Sequence, residues 1–314
     1  MQNVSFTIPN YNGVKTISKV IDSILKQNYK GKKEIIVVDD CSKDKSLEIL
    51  KKYKKIGKIK LIVNKKNLGQ VKTNNKGMRM AKYEVICNFP CDYVLKNKNW
   101  LKEMVKALNS NKNVGMVESR IILPKKAWNK FGFWDKVVLA QTFHKDYSGK
   151  GNYLTVMFKK NILKEVDFYD DKTFNTGADT DLRLKILKKG YILTRGNATL
   201  LHYHGYYNIG FFGQLFRKAM PLATSAGVDF RRHKFITRGY NVLISTILYI
   251  SLFVPYLRYL AISLLFLIIG RYTYLVAKYI KDFRIIFVPL FKLFKDIIII
   301  IGFWKGFIAG KQKF

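Results

Sequence analysis

The 314-residue chain is 48% hydrophobic, enough to bury a real core, and its 57 Lys and Arg against 21 Asp and Glu give a formal net charge of +36. Its three cysteines, Cys41, Cys87 and Cys91, are an odd number without metal-ligand spacing. That excludes a disulfide framework and reads as reduced, mostly structural thiols in a cytosolic compartment. So large a positive charge calls for an anionic partner (lipid, nucleotide phosphate or nucleic acid), unless it is simply a lysine-rich solvated surface.

The chain opens directly on a strand pattern, with no signal peptide expected. Strands are predicted at Val4–Ile8, Glu34–Val38, Ile59–Val63, Glu84–Phe89 and Val114–Ile122. Helical periodicity lies between them: Val14, Ile17, Val20, Ile21, Ile24 and Leu25 recur at i, i+3, i+4, and so do Leu101, Met104, Val105 and Leu108. Alternating strands and helices predict an α/β fold, with a mostly parallel sheet and helices on both faces, over residues 1–230. From 231 to 314 the pattern changes. Apolar runs at Val242–Leu257 and Leu260–Ala277, split by Arg258, predict a membrane hairpin, each run slightly short of the roughly 17–25 residues a span needs. Basic residues flank the pair (Arg231, Arg232, Lys234 and Arg238 before it; Lys278, Lys281 and Arg284 after it), which orients both ends to the cytosol. Ile285–Ile301 contains Lys292, Lys295 and Asp296 and suits an interfacial helix on anionic lipid.

Ligands of open α/β sheets bind outside the carboxyl ends of the strands. That rule sets Pro9–Asn12 and Asp39–Asp44 face to face across a crevice, although Asp-Asp-x-Ser after a strand is also ordinary turn chemistry. Asp92 follows the fourth strand, where one carboxylate oxygen can hold a Mg²⁺ whose other positions go to phosphate and water. Asp179 precedes a helix with Leu182, Ile186 and Leu187 on its buried side. It is either a helix cap, as Thr176 also can be, or a general base kept ionised by the helix start. His202 and His204 alternate along an extended segment, face one side and can complete a metal shell. His144 and His233 receive no role. A nucleic-acid site is not supported: aromatics and basic residues are not interleaved on any one strand pair.

Ile8-Pro-Asn-Tyr-Asn12, Ile24-Leu-x-Gln27-x-Tyr29 and Ile35-Ile-Val-Val-Asp-Asp-x-Ser42-x-Asp44, in this order, resemble the family 2 inverting glycosyltransferases of the GT-A fold, a Rossmann-like architecture. The resemblance runs from Val4 to Gly205 and loosely through the membrane segment. It implies that Pro9, Tyr11, Asn12, Asp39 and Asp40 line the nucleotide of a sugar donor. Asn67-Leu-Gly69 and Asn75-x-Gly77 match the next block, which implies that Asn67, Gly69 and Asn75 also contact the donor, with Asn74 standing where a basic residue is usual. The Asp-x-Asp metal motif falls on Pro90-Cys-Asp92 and the Glu-Asp motif on Ala178-Asp179, so each keeps only its second carboxylate. Trp128 and Trp134 lie where such enzymes often bind acceptor, and Ile301-Gly-Phe-Trp-Lys-Gly306 resembles the ends of membrane-bound members. The implied activity is transfer, with inversion, from a nucleoside diphosphate sugar to a hydroxyl of a lipid-linked or cell-surface glycan. Asp179 is the base, and Mg²⁺ or Mn²⁺ sits on Asp92 with His202 or His204. The enzyme works at the cell membrane and faces the cytoplasm. A polyprenyl phosphate acceptor and a catalytically degenerate nucleotide-sugar-binding subunit are the alternatives.

Overall fold

The computed structural model describes residues 1–147, 152–203, 209–234 and 237–312. Two compact units result, one from Met1–Asn129 with Lys145–Gly205 and one from Lys130–His144 with Tyr206–Phe314. The compositional shift at 230 therefore falls inside the second unit.

The first unit runs β1 (Val4–Asn10), α1 (Ile17–Leu25), β2 (Lys33–Asp39), α2 (Ser46–Lys55), β3 (Lys60–Val63), α3 (Gln70–Met80), β4 (Val85–Asn88), β5 (Tyr93–Leu95), α4 (Trp100–Leu108), β6 (Val114–Ile122) and α5 (Lys125–Trp128). After α6 (Phe133–Tyr147) come β7 (Asn152–Lys159), α7 (Lys160–Glu165), α8 (Asp179–Lys188) and β8 (Ile192–His202). All eight strands share one sheet, in the order β3-β2-β1-β4-β7-β6-β8-β5. The pairs β2–β3, β1–β2, β1–β4 and β6–β8 are parallel, while β7 and β5 run against their neighbours. The sheet is thus mixed but mostly parallel. The three predicted strands β1, β2 and β4 are the ones buried throughout or nearly so, which is why they read as continuous apolar runs. β5, β7 and most of β8 lie outside the predicted strands, since β5 has only three residues and neither β7 nor β8 is buried along its whole length.

The core lies against α1 and α4. Ile17, Val20, Ile21 and Ile24 are fully buried along one helix face. Phe6, Phe89 and Trp100 form an edge-to-face chain with centroids 6.2 and 6.3 Å apart, and the Trp100 indole donates to Ser119 Oγ at 3.0 Å. A buried indole N–H would otherwise stay unpaired, so this bond fixes the depth of α4 on the sheet.

The second unit holds α9 (Gly210–Phe212), a π-helical turn (Gly213–Ala219), α10 (Met220–His233), α11 (Thr237–Ser251), α12 (Arg258–Ala277), a 3₁₀ turn (Phe283–Phe287) and α13 (Val288–Ala309). The predicted first apolar run stops short. α11 ends at Ser251, before a turn containing Pro255, whose missing N–H cannot continue the helix. Among the described residues, α12 is the one helix long and apolar enough to cross a membrane by length and composition. α13 is longer than the predicted interfacial stretch, and it pairs Lys292 with Asp296 one turn on. Its buried face packs on α10 through glycines. A Cβ at Gly306 would run into Thr224 O, one at Gly227 into Phe303 O, and one at Gly302 would lie 2.9 Å from Met220 O. Gly306→Val is therefore expected to cost about 1–3 kcal/mol or more by forcing two backbones apart. Gly270→Ala, inside α12 and with nothing from beyond its own helix backbone within 4 Å of the new Cβ, should instead raise the melting midpoint slightly, since alanine is the better helix former.

Candidate active site

The carboxyl ends of β1, β2, β3 and β4 lie along one edge of the sheet because the four strands are parallel. The predicted juxtaposition of the first two loops follows from register. Asn10 pairs with Asp39, and Asp40 N–H donates to Asn10 O at 2.8 Å. Asn10 Nδ2 and Ser42 Oγ donate to Asp39 Oδ1 at 2.7 and 2.6 Å, and Ser42 N–H donates to Oδ2 at 3.0 Å. The loops then clasp directly: Asn12 N–H donates to Ser42 Oγ and Lys43 N–H to Asn12 Oδ1. Asn12 takes a positive φ of 53° there, a conformation that asparagine tolerates better than most residues.

Asp40 is 3% exposed and brackets the next loop. Its Oδ1 accepts from Asn64 Nδ2 and Leu68 N–H at 2.8 Å each, and Oδ2 accepts from Gly69 N–H at 3.0 Å. Gly69 presents that N–H from φ = 86°, which is why glycine stands at the start of α3. Asn67 Oδ1 accepts from the same N–H, and Asn67 itself is exposed. Pro9 is buried at the end of β1, while Tyr11 and Asn12 are exposed beside it. Asn75 is 2% exposed and spans the backbone of Tyr169: its Oδ1 accepts from Tyr169 N–H at 3.1 Å and its Nδ2 donates to Tyr169 O at 2.8 Å.

Asp92 and His202 are 110 positions apart in sequence and meet through antiparallel pairing of β5 with β8, which sets Tyr93 opposite His202. His202 Nε2 lies 3.2 Å from Asp92 Oδ2, and its ring stacks on Tyr93 with centroids 4.0 Å apart. An oxygen and an imidazole nitrogen converging at this distance, the ring held by stacking, form a donor set suited to a divalent cation such as Mn²⁺. His204 lies outside the described residues. Cys91, next to Asp92, has its thiol pushed up to about 12 by burial and by that carboxylate, so it stays protonated at neutral pH.

Asp179 begins α8, but it does not cap it. Ala178 is the N-cap residue and no side chain makes a capping bond. The Asp179 carboxylate instead accepts a hydrogen bond from the Tyr169 hydroxyl at 3.1 Å. Solvent reaches Asp179, yet protein crowds it closely enough that burial raises its pKa, with the Tyr169 bond opposing. The helix start alone would hold the pKa low; crowding outweighs it, so this carboxylate is a stronger base than the sequence suggests. The Tyr93 phenol is raised in turn, first by burial and then by Asp92 and Asp179, which sets both carboxylates around one ring.

Sequence reasoning missed Asn64, Asn88 and Tyr169. Asn64 and Asn88 stand at carboxyl ends of β3 and β4, where the strand-end rule would have found them. Tyr169 lies between two helices, and no spacing announces it.

Residues 5–159 match the model for glycosyl transferase family 2. This stretch is a glycosyl transferase family 2 domain. It is 26% identical over 177 residues to a poly-beta-1,6-N-acetyl-D-glucosamine synthase of Staphylococcus epidermidis, covering 54% of this chain and 42% of that relative. It is 23% identical to a dolichyl N-acetyl-alpha-D-glucosaminyl phosphate 3-beta-D-2,3-diacetamido-2,3-dideoxy-beta-D-glucuronosyltransferase of Methanococcus voltae, over the full length of both. The structure is similar, with a TM-score of 0.58 at 17% identity, to a mannosyltransferase from Pyrobaculum calidifontis in complex with GDP-Man and Mn²⁺, covering 96% of this chain and 86% of that one. That likeness shows the GT-A fold.

The Asp40 bracket makes a prediction of its own. Asp40→Asn would turn an N–H toward at least one of three donors, for a loss of about 1–3 kcal/mol in urea unfolding. Asn67→Ala, at an exposed position, should cost well under that amount.

Proposed function

We propose that this glycosyltransferase moves a sugar, with inversion, from a nucleoside diphosphate sugar to a hydroxyl of a lipid-linked or cell-surface glycan. The observation that carries this reading is Asp179: solvent-reached, hydrogen-bonded by Tyr169 rather than spent on its helix, and raised in pKa. A hydroxyl acceptor must lose a proton as its oxygen attacks the anomeric carbon, and a carboxylate of raised pKa takes that proton more readily. A polyprenyl phosphate, already an anion, needs no such base.

In this reading the donor's nucleotide lies along the strand ends, against exposed Tyr11 and Asn12 and the adjoining Pro9, Asp39, Asp40, Asn67 and Gly69. Most of the polar atoms of Asp39 and Asp40 are engaged by the protein, so they shape the loops that the nucleotide meets. Asp92 and His202 would hold a Mg²⁺ or Mn²⁺ ion, with His204 a third candidate. When bound, the ion would offset negative charge on the departing diphosphate. His202 is oriented for this by its stack on Tyr93, and Asp92 by β5 pairing.

A lipid-linked acceptor is supported by α12, whose Leu260, Ile262, Phe266 and Leu267 are exposed apolar side chains. It is also supported by the Methanococcus voltae relative, which is named for a dolichyl-linked sugar phosphate and spans the same length. Membrane attachment through the second unit, on anionic lipid and with the active site on the cytoplasmic side, accords with the basic flanks of α11 and α12.

The test is a donor screen with membrane lipids present, read by release of nucleoside diphosphate. Asp92→Asn and Asp179→Asn should each lower turnover by about 10²-fold or more. Turnover that survives Asp179→Asn but not Asp92→Asn points to the phosphate acceptor. Binding of a nucleoside diphosphate with Mn²⁺ in calorimetry, and no transfer to any acceptor, points to the degenerate subunit. The pH dependence follows from sign. Asp179 works deprotonated and its pKa is raised, so kcat should fall on acidification with a midpoint above 3.8, the ordinary aspartate value.

A further inference from the structure

Four side chains from different parts of the first unit, Thr7, Asn88, Tyr169 and Asp179, form a line of polar groups that ends on Asp179. Parallel pairing of β1 with β4 sets Thr7 opposite Asn88. Thr7 Oγ1 donates to Asn88 Oδ1 at 2.8 Å. With its oxygen thus engaged, Asn88 has its amide N–H groups left to face the Tyr169 hydroxyl, whose pKa this side chain pulls down against the rise that burial imposes. A phenol has one proton. It donates that proton to Asp179 Oδ1, 3.1 Å away. Tyr169 is held from its other side by Asn75, which takes both the N–H and the carbonyl of that residue and donates to Asp171 Oδ2 at 2.9 Å.

We infer that Thr7, Asn88 and Tyr169 form a one-way hydrogen-bond relay that positions the Asp179 carboxylate, with Asn75 as the clamp that holds Tyr169 in the line. The inference rests on the reading of Asp179 as the base. It gives Asn75 a positioning role in place of a donor contact, because both ends of its buried amide are occupied. Tyr169, Asn88 and Thr7 are positioning residues in the same sense. Removing the phenol leaves the carboxylate without the donor that stabilises its charged form, so its proton should be held more tightly. The other groups facing it are Tyr93 from β5, with Asp92 and His202 beyond that ring, and Asp181 on its own helix.

Titration of the aspartate carboxyls of the full chain, labelled with ¹³C in the side chain and followed by NMR, tests this without a substrate. Asp179→Asn identifies the signal by its disappearance. Tyr169→Phe should raise the midpoint of that signal by about one pH unit, the equivalent of a hydrogen bond to a charged acceptor. Thr7→Val, which breaks the far end of the line at nearly constant shape, should raise it by less. In the donor assay Tyr169→Phe should lower kcat about tenfold and move its acid limb upward, with donor KM changed less than twofold. An unshifted midpoint in both variants overturns the relay, and Thr7→Val alone decides if Tyr169→Phe does not fold. Wild-type turnover in Asp179→Asn would overturn the base reading instead, while leaving the titration to judge the hydrogen-bonded line.

Discussion

The site depends on where β1 sits. Flanked by two parallel neighbours, β1 presents Asn10 to Asp39 on one side and Thr7 to Asn88 on the other. The first pairing closes the loop that carries Tyr11 and Asn12 over the loop that carries Ser42. The second begins the line of polar groups that reaches Asp179. Parallel pairing keeps all the strand ends on one edge, so a single register choice places both. A slip of one residue would turn Thr7 and Asn10 to the opposite face and dismantle both arrangements together.

Buried carboxylates near that edge would be costly if left without donors. Asp39 and Asp40 are met by N–H and O–H groups from four short segments: the ends of β1 and β2, the residue after β3, and the turn before α3. Such charge-assisted bonds are stronger than neutral ones, and they stiffen loops that carry no regular structure. The surface available to a ligand is then provided by residues held in place by the two aspartates, Tyr11 and Asn12 first among them. Lys76 adds to this frame by donating to Asn64 Oδ1 at 2.6 Å, which leaves the Asn64 amide N–H for Asp40.

Local signals in the sequence reached a definite distance. β1, β2 and β4 were legible because burial on both faces makes them continuous apolar runs, and α1 because its four buried residues repeat at helical spacing. The facing of Pro9–Asn12 and Asp39–Asp44 followed from the strand-end rule alone. The partnership of Asp92 with His202 was not legible as a contact, since it depends on β5, a three-residue strand, pairing across 110 positions. Asp179 looked like a helix cap because an acidic residue at a helix start usually is one. Only the position of Tyr169, fixed by Asn75 from α3, shows that the carboxylate is turned elsewhere.

The two motif positions that lack a carboxylate have different physical settings. Ala178 is 3% exposed at the N-cap of α8, so a glutamate there would need room that this packing does not provide. Its absence leaves Asp179 without a like-charged neighbour in sequence, and a second carboxylate beside it would raise its pKa further by repulsion. Pro90 lies in the turn between β4 and β5, where Tyr93 N–H bonds back to Pro90 O. That turn returns the chain so that β5 meets β8 and Asp92 meets His202. His202 then stands beside Asp92 and, in the proposed reading, would supply an imidazole to a metal shell that has one motif carboxylate in place of two. Exchanging a carboxylate for a neutral imidazole lowers the negative charge of the donor set by one, and with it the attraction for a hard cation such as Mg²⁺. It favours a cation that accepts nitrogen as well as oxygen, as Mn²⁺ does. In the reading proposed above, a site built from Asp92 and His202 would therefore prefer Mn²⁺ to Mg²⁺.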